Sequence, residues 1–341
     1  MQRRVALISL EPWDEIWRRN QHLATKLVSS GEVDHLLFIE PPAKGPALVR
    51  AVDSHITVLR PRLVVAPRFG GFVLTALALR RFWLRDIDAV WINSPTLGRL
   101  VLVAPAIYDV TDDWRHARQG WASRRRLVRA EDALARRATT IVCSDTLRDR
   151  WLDRYGVHAT VVPNAADLDE IRRAQPTTLD GPGPHFGYVG TLHDDRIDVS
   201  LVAEVAQLGG TVHLVGPDHF SDESRSKLRG VPNVNVPGPT AAKNVPGLLS
   251  AFDVLLLPHV VSEFTLSLDA IKAYEYLATT RPVVATPTSG FQDLAIPGVY
   301  VVARGDFLVA CEAAATAGSR PRLDLPSWAD RAAEFARAAW G

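Results

Sequence analysis

The sequence predicts an α/β protein built from two doubly wound domains in tandem. Short apolar runs of the buried-strand type alternate with segments of helical spacing along the first half, and the same alternation begins again in the second half. A stretch rich in Pro, Gly and Thr, residues 174–184 (AQPTTLDGPGP), separates the two halves. Alternating strands and helices are typical of a parallel sheet covered on both faces. The length of 341 residues also exceeds what one hydrophobic core usually organises.

Apolar patterning places the elements of the first half. Uninterrupted apolar runs predict buried strands, and apolar residues that recur every three or four positions predict helices. The predicted strands are residues 5–10, 33–40, 56–59, 89–92, 106–110, 139–143 and 160–162, and the predicted helices are residues 17–27, 72–84, 123–138 and 144–155. Together they predict a mostly parallel sheet for this half.

The second half repeats the pattern. Its predicted strands are residues 186–189, 212–215, 234–236, 251–257, 282–285 and 299–302, and its predicted helices are residues 199–207, 268–278 and 328–340. We therefore expect a first domain over residues 1–174 and a second over residues 185–325. Doubly wound domains bind ligands at the carboxyl ends of their strands, so a pair of them predicts a cleft between domains.

Charge and cysteine content narrow the class of function. The chain has 39 Lys and Arg against 38 Asp and Glu, and this balance argues against a general nucleic-acid binder. The two cysteines, Cys143 and Cys311, provide neither a disulfide framework nor a zinc knuckle. No signal peptide is recognisable, and no apolar stretch approaches the roughly 20 residues of a membrane-spanning helix. The expected location is therefore the cytoplasm.

A glycine-containing turn follows the first strand of the second half. Gly187 and Gly190 frame the end of this strand, and Arg196 lies a few residues further on. Glycine lets a ligand approach the backbone closely, and a helix N-terminus with a nearby Arg suits a phosphate. A lone G-x-x-G is also typical of an ordinary turn between strand and helix, so both interpretations stay open. No G-x-G-x-x-G is present to indicate a nicotinamide cofactor.

Lys272 and Glu275 form a second candidate pair. Their spacing of three residues places them on one face near the start of a predicted helix. A carboxylate there could accept hydrogen bonds from both hydroxyls of a ribose, and a lysine suits a diphosphate. The alternative is a surface ion pair, which contributes little.

Three acids lie at the end of a predicted buried strand of the first half. They are Asp109, Asp112 and Asp113, within the segment YDVTDDW. Such a cluster suits contacts to the hydroxyls of a sugar or acceptor, or a general base. A helix cap formed by Asp112 or Asp113 is the alternative.

In this order, the motifs resemble those of GT-B glycosyltransferases, particularly the retaining family-four type that acts on bacterial polysaccharides and teichuronic-acid-like polymers. The segments that carry the resemblance are residues 19–24 (RNQHLA), 108–114 (YDVTDDW), 143–147 (CSDTL), 162–167 (VPNAAD), 187–190 (GYVG), 215–217 (VGP), 253–258 (DVLLLP), 272–278 (KAYEYLA) and 281–285 (RPVVA). They extend over nearly the whole chain, and residues 272–278 are the most specific. The resemblance implies an acceptor-binding first domain, a nucleotide-sugar-binding second domain, and a helix over residues 326–341 that crosses back to the first.

The resemblance also implies a donor site. Glu275 stands where the family's acid holds the nucleotide ribose, and Lys272 with the backbone N–H groups of Leu268 and Asp269 would face the diphosphate. The other implied donor-site positions are Gly190, Thr191, Arg196, Gly216, Thr240 and Ser267. Thr191 replaces a phosphate-binding Arg of the family, and Arg196 stands at its Lys position. Ser267 replaces the first acid of the Glu-x7-Glu motif, for which Asp269 and Glu263 are the candidate substitutes.

The implied reaction moves a sugar from a nucleotide diphosphate, of the UDP or GDP type, to an acceptor hydroxyl with retention of configuration. The acceptor would be a glycan, a lipid-linked intermediate or a small natural product. No metal or other cofactor is expected, because cationic side chains and a helix N-terminus stabilise the departing diphosphate in this fold. The leaving phosphate would take the acceptor proton; if a protein base takes part, Asp109 or Asp112 is the candidate.

Two other functions stay open. One is a nucleotide-sugar epimerase of the same fold, which would work without an acceptor. The other is a sugar-nucleotide-binding partner subunit with little activity of its own, which the missing first acid favours.

An arginine-rich segment stands out against the neutral total charge. Residues 60–85 contain six Arg and no acid, interleaved with aromatic and aliphatic residues. A basic amphipathic helix is typical of contact with a membrane surface, and here it would allow peripheral binding at the inner membrane face. The alternative is a helix with an ordinary core-facing stripe and a solvated outer face.

Overall fold

The computed structural model describes residues 3–102, 105–116, 121–288, 290–291 and 294–341. It divides into two compact units. Unit 1 comprises Met1–Pro163 together with Trp328–Gly341, and unit 2 comprises Asn164–Ser327.

Unit 1 is built on an eight-stranded sheet. Its strands are β1 (Arg4–Ile8), β2 (His35–Ile39), β3 (Leu48–Ala51), β4 (Ile56–Arg60), β5 (Ala89–Ile92), β6 (Ala106–Val110), β7 (Thr139–Val142) and β8 (Thr160–Val161). They lie in the order β3-β4-β2-β1-β5-β6-β7-β8, and all neighbours pair in parallel except β3, which is antiparallel to β4. The central strands are apolar and buried because helices cover both faces of the sheet.

The helices of unit 1 lie in the connections between strands. They are α1 (Arg19–Ser29), α2 (Gly71–Phe82), α3 (Pro95–Gly98), α4 (Trp121–Leu134) and α5 (Asp145–Tyr155). Ser144 caps α5 by accepting a hydrogen bond from the Leu147 backbone N–H, and Gly156 ends it in a left-handed conformation.

Unit 2 has a six-stranded sheet, parallel throughout. Its strands are β9 (His185–Val189), β10 (Thr211–Val215), β11 (Val234–Gly238), β12 (Val254–Leu257), β13 (Val283–Ala285) and β14 (Val299–Val301), in the order β11-β10-β9-β12-β13-β14. Its helices are α6 (Leu168–Arg173), α7 (Val199–Val205), α8 (Asp222–Arg229), α9 (Val245–Ala251), α10 (Glu263–Ser267), α11 (Ile271–Ala278) and α12 (Phe307–Thr316). By chain position the strand order is 3-2-1-4-5-6, which is that of a dinucleotide-binding doubly wound sheet.

The winding of both sheets reverses beside their first strand. In unit 1 the reversal lies between β1 and β5, and in unit 2 it lies between β9 and β12. Loops leave the carboxyl ends of these paired strands in opposite directions and open a crevice, where doubly wound sheets bind their ligands. The fold thus identifies the ends of β9 and β12 as the place to look for a ligand site in unit 2.

The last helix belongs to unit 1 although it follows unit 2 in the chain. This helix, α13 (Trp328–Trp340), packs against α1, and its Phe335 ring lies 4.7 Å from the Trp91 ring, centroid to centroid. The Trp328 ring stacks on His22 at 4.7 Å. These aromatic contacts anchor residues 328–341 to unit 1.

The boundary between units differs from the expected one at residue 174. Residues 164–174 belong to unit 2, because α6 packs on α9 and α11 and because Asn164 is hydrogen-bonded to Asp269 through both its backbone and its side chain. The Pro- and Gly-rich stretch at 174–184 lies inside unit 2 rather than between the units. The stretch is the irregular connection between α6 and β9. A Pro- and Gly-rich composition predicts such a loop but does not show that a domain boundary lies there.

None of the helices in the described part of the chain is long and apolar enough to cross a membrane.

Candidate functional site

Two glycines set the backbone path at the carboxyl edge of the unit 2 sheet. Gly190 directly follows β9 with a φ of 147°, and Gly216 directly follows β10. A Cβ atom on Gly216 would lie 2.0 Å from the Gly190 carbonyl oxygen, and one on Gly190 would lie 2.7 Å from Cε of Lys272. Close packing of two strand ends and a lysine therefore requires glycine at both positions.

Lys272 brings a cation to this strand end. It is in the first turn of α11, and its ammonium nitrogen lies 5.2 Å from the centroid of the Tyr188 ring. The Tyr188 hydroxyl lies 3.4 Å from Nε2 of His259, the residue that follows β12 by two positions. Lys272 and His259 thus meet between β9 and β12, at the crevice that the strand order indicates.

Arg196 supplies a second positive charge to the same cluster. Its guanidinium carbon lies 5.4 Å from the centroid of the Phe264 ring, and its Nε is 3.8 Å from an Asp195 carboxylate oxygen. Its backbone carbonyl accepts a hydrogen bond from the Val260 N–H, which ties the loop after β9 to the loop after β12.

The charge of Arg196 acts on both Lys272 and His259. Burial, together with the charge of Arg196, lowers the pKa of Lys272 to about 8, against a smaller opposing effect of Glu275. Burial, with the charges of Lys272 and Arg196, also holds the pKa of His259 well below its usual value. The charge of Arg196 thus disfavours the charged form of Lys272. An anion bound among these three side chains would relieve that repulsion.

Glu275 lies three residues after Lys272 on α11 and is partly exposed. The helical spacing places both side chains on one face, as the sequence predicts. Glu275 and Lys272 interact electrostatically, so the helix presents a carboxylate next to a cluster of cations.

Three predicted donor-site residues are placed differently from the prediction: Ser267, Leu268 and Asp269. The predicted helix start at residue 268 is wrong: α10 ends at Ser267, residues 268–270 are non-helical, and α11 begins at Ile271. The N–H groups of Leu268 and Asp269 are therefore not at the helix N-terminus. Ser267 is fully buried and donates a hydrogen bond to the Phe264 carbonyl at 2.7 Å, so its hydroxyl faces the interior.

Asp269 holds the loop before α11 in place. One of its carboxylate oxygens accepts a hydrogen bond from the Tyr274 hydroxyl at 2.9 Å, and the other accepts one from the Asn164 backbone N–H. Both oxygens are thus engaged in fixing the chain at the start of unit 2. These bonds argue against Asp269 as the substitute for the missing sugar-binding acid and leave Glu263, which is exposed in the first turn of α10.

The remaining predicted positions are arranged around the edge of the sheet. The Thr191 carbonyl accepts a hydrogen bond from the Tyr188 hydroxyl at 3.3 Å, which fixes the turn after β9. Thr240 follows β11 and lies 3.4 Å from Nδ2 of Asn244. Both threonines are partly exposed at the carboxyl edge.

The first acid of the unit 1 cluster has a structural role. Asp109 is fully buried, and its carboxylate accepts hydrogen bonds from Nε and Nη2 of Arg19, the shortest at 3.0 Å, and from Nε1 of Trp91 at 3.3 Å. This burial and these bonds argue against the predicted role of Asp109 as a base, because its oxygens are engaged by buried donors beneath the surface. No signal in the local sequence reveals this pair, since its members are 90 residues apart.

The other two acids lie nearer the surface. The Asp112 carboxylate is partly exposed and accepts a hydrogen bond from the Thr111 hydroxyl at 3.2 Å. Asp113 is buried, and burial would favour its neutral form; the His116 hydrogen bond and the charges of Arg154 and Arg150 nonetheless keep its pKa below the usual value. Only Asp112 of the three is placed to meet a ligand.

Unit 1 also has a small cavity that the sequence did not reveal. It measures about 210 Å³ and lies at the carboxyl edge of the sheet, lined by Pro12, Trp13, Glu40, Leu48, Arg50, Val58 and Arg60. Arg50 binds the Glu40 carboxylate at 3.0 Å. The cavity depends on the antiparallel strand β3, an exposed edge strand without the apolar pattern that would have predicted it.

The structure shows no metal centre in the part that it describes. Among those residues, no three His, Cys, Asp or Glu side chains are grouped so that they could hold a metal ion.

Part of this chain is similar to known glycosyltransferase sequences. Residues 183–319 match the family model described as glycosyl transferases group 1, a range that contains β9 to α12 and the whole cluster around Lys272. The chain is 28% identical over 240 residues to the teichuronic acid biosynthesis glycosyltransferase TuaH of Bacillus subtilis (strain 168), which covers 64% of this chain. The chain spans 60% of the length of that relative.

Solved structures of similar architecture match nearly the whole chain. Sucrose-phosphate synthase from Thermosynechococcus elongatus superposes with a TM-score of 0.70 at 18% identity and covers 99% of this chain and 95% of its own. WaaG, a glycosyltransferase involved in lipopolysaccharide biosynthesis, superposes with a TM-score of 0.64 at 15% identity and covers 98% and 95%.

These findings confirm the fold class predicted from the sequence, a two-domain, Rossmann-like GT-B fold. The group 1 match within unit 2 and the similarity to TuaH agree with the resemblance that the sequence motifs indicate.

Proposed function

We propose that this protein is a retaining glycosyltransferase that moves a sugar from a nucleotide diphosphate of the UDP or GDP type to an acceptor hydroxyl. The observation that carries the proposal is the pair of cations, Lys272 and Arg196, at the crevice between β9 and β12. Two like charges held together at a strand-end crevice, where the charge of Arg196 disfavours that of Lys272, suit a ligand with two adjacent negative charges, as a diphosphate has.

The donor lies along the carboxyl edge of unit 2 in this proposal. Lys272 and Arg196 contact the diphosphate, and the glycines at 190 and 216 keep side chains away from it. Glu275 accepts hydrogen bonds from the ribose hydroxyls one turn along α11. Thr191 lies next to the phosphates, and Thr240 lies next to the base.

The reaction breaks the bond between the anomeric carbon and the diphosphate oxygen and forms one between that carbon and the acceptor oxygen. The acceptor proton passes to the departing phosphate, which leaves from the same face that the acceptor approaches, so configuration is retained. The two cations stabilise the charge that develops on the diphosphate, and the step requires no resident metal. If a protein base assists, Asp112 is the remaining candidate.

The acceptor is a hydroxyl of a glycan, of a lipid-linked intermediate or of a small natural product. TuaH is named for teichuronic acid biosynthesis and WaaG for lipopolysaccharide biosynthesis, and both names favour a cell-envelope polymer or its precursor. The enzyme would then work in the cytoplasm at the inner face of the membrane, with the Arg-rich segment 60–85 as the peripheral contact.

A thermal-shift panel of UDP, GDP, TDP and ADP with their sugars tests the donor site. We expect UDP or GDP to raise the melting temperature of the wild-type protein and Glu275→Ala to abolish that rise. Glu223→Ala, an exposed helical acid elsewhere in unit 2, is the matched control and retains the rise. An unchanged rise in Glu275→Ala would refute the ribose assignment.

A partner subunit with little activity of its own is the second candidate. The observation that favours it is Ser267, buried at the position of the family's first acid and unable to bind a sugar. Slow hydrolysis of the sugar nucleotide by the isolated protein would exclude this candidate. Epimerisation of the donor without any acceptor would instead support the epimerase alternative.

A further inference from the structure

The outward face of α2 is apolar. The inward face packs on the unit 1 core through Thr75, Ala76 and Leu79. The opposite side, which would be polar in a helix solvated on that side, instead exposes large hydrophobic side chains. These are Phe69 just before the helix, Val73, Leu74 and Leu77 within it, and Phe82 at its end, which we call the α2 outer face. Phe69 and Phe82 are 69% and 68% exposed.

Arginines surround the α2 outer face. The guanidinium group of Arg68 lies over the Phe69 ring at 4.8 Å, and that of Arg81 lies over the Phe82 ring at 5.5 Å. Arg80 and Arg85 are exposed beside them. Residues 60–85 contain no acid, so the positive charge around the apolar surface is not neutralised within the segment.

We propose that the α2 outer face docks on an anionic phospholipid surface, with its apolar side chains among the acyl chains and its arginines at the lipid phosphates. A contiguous group of exposed large apolar side chains, such as these five, is typical of an interaction site. The charge complementarity selects the occupant, because an apolar patch within a segment that carries six arginines and no acid matches the negative headgroup layer above an apolar interior. A second copy of this chain would carry the same positive border and would be repelled.

This surface deepens the proposed function, which it uses only for its setting at the inner membrane face. The docking assay contains no sugar donor, and the donor assay contains no lipid, so a failure of one proposal is distinguishable from a failure of the other.

Vesicle flotation tests the docking surface. The full chain is mixed with vesicles of pure phosphatidylcholine or of phosphatidylcholine and phosphatidylglycerol at about 7:3. We expect flotation with the anionic vesicles only, weakening as salt rises from about 0.1 to 1 M because the screening length shortens about threefold. Leu77→Asp, on an exposed position, is expected to lower the partition coefficient more than about tenfold. Val309→Asp, an exposed apolar residue of unit 2, is its control and leaves the partition coefficient unchanged.

A charge variant separates the two parts of the surface. The double substitution Arg80→Gln and Arg81→Gln is expected to lower partitioning by roughly 30-fold, because each arginine near an anionic surface contributes about fivefold. The matched control is Arg136→Gln with Arg137→Gln, two adjacent exposed arginines of unit 1 that lie outside residues 60–85. Circular dichroism of each variant checks the fold.

Three results would overturn the proposal. The first is equal flotation of Leu77→Asp and Val309→Asp, and the second is no flotation of the folded wild-type protein with anionic vesicles. The third is a dimer in sedimentation velocity that dissociates in Leu77→Asp while vesicles bind neither form, since the α2 outer face would then be an interface between copies.

Discussion

Asp109 and Arg19 form a buried ion pair in unit 1. Both side chains are buried, and the Asp109 carboxylate accepts hydrogen bonds from the Arg19 guanidinium and from the Trp91 indole N–H. A buried charge is tolerated only when its partner remains. The pair joins α1 to the end of β6, and this contact predicts a role in stability.

Asp109→Asn should cost about 3 to 5 kcal/mol of unfolding free energy, because it leaves the Arg19 charge buried without its counter-ion. Urea unfolding followed by circular dichroism measures the change. Asp169→Asn, which removes an exposed ion pair with Arg173, is the control and should change stability by less than about 0.5 kcal/mol. A variant Asp109→Asn of wild-type stability but without transferase activity would restore Asp109 as a base.

The turn elements around β9 and β10 depend on a backbone approach that a side chain would block. Gly216 faces the Gly190 carbonyl oxygen, and the Gly190 N–H in turn donates to the Val215 carbonyl at 2.8 Å. Displacing one strand end displaces the other, and the turn that carries Gly190 is packed against Lys272.

Gly216→Ala should therefore lower the melting temperature and also reduce the thermal shift produced by UDP or GDP. The matched control is Gly209→Ala: Gly209 has a φ of 92°, and a Cβ there would meet nothing within 4 Å. This control carries a strain of about 1 kcal/mol and should keep the nucleotide-induced shift. Equal nucleotide responses in the two variants would show that the glycine contact does not shape the donor site.

The elements that can be predicted from the sequence are those whose buried residues form an apolar pattern. Strands β5 and β12 are buried and apolar at every position. Strands β6 and β10 are buried throughout and mostly apolar, and the pattern predicts all four. Strand β3 was missed because all four of its residues are exposed at the sheet edge. Helix α10 was missed because five residues are too few to show a helical period.

The predicted start of α11 failed for a tertiary reason. Leu268 and Asp269 continue the apolar and polar spacing of the helix, but the Asp269 carboxylate is held by Asn164, which lies 105 residues away. No local pattern encodes such a contact. The spacing of Lys272 and Glu275 was predictable because it depends only on the helical repeat.

The whole molecule is organised by a chain that leaves unit 1 and returns to it. Helix α13 completes the core of unit 1: Phe335 is fully buried, between Trp91 and Trp340. Because residues 328–341 belong to unit 1, a substitution that disrupts α13 should destabilise unit 1.

Phe335→Ala should cost about 3 to 5 kcal/mol through the lost burial and the cavity that it leaves. Amide hydrogen exchange should show the largest loss of protection in α1 and β5, which lie next to α13. Phe82→Ala, on an exposed ring, is the control and should leave exchange in these elements unchanged. Loss of protection concentrated in β9 to β14 would contradict the assignment.

The central claim is that the crevice between β9 and β12 binds a diphosphate through Lys272. Its pKa of about 8 makes the claim sensitive to pH. Diphosphate binding favours the charged ammonium, so affinity should be nearly constant below pH 8 and should fall as pH rises through and above it.

Calorimetric titration of UDP and GDP at pH 7 and pH 9 tests this claim most directly. We predict that one of them binds the wild-type protein about tenfold more weakly at pH 9 than at pH 7. Lys272→Ala should weaken binding at pH 7 by about tenfold or more and remove the pH dependence. Lys227→Ala, at an exposed lysine of α8, should behave as wild type. Tight binding to Lys272→Ala with an unchanged pH dependence, or binding of neither nucleotide to the wild-type protein, would contradict the claim.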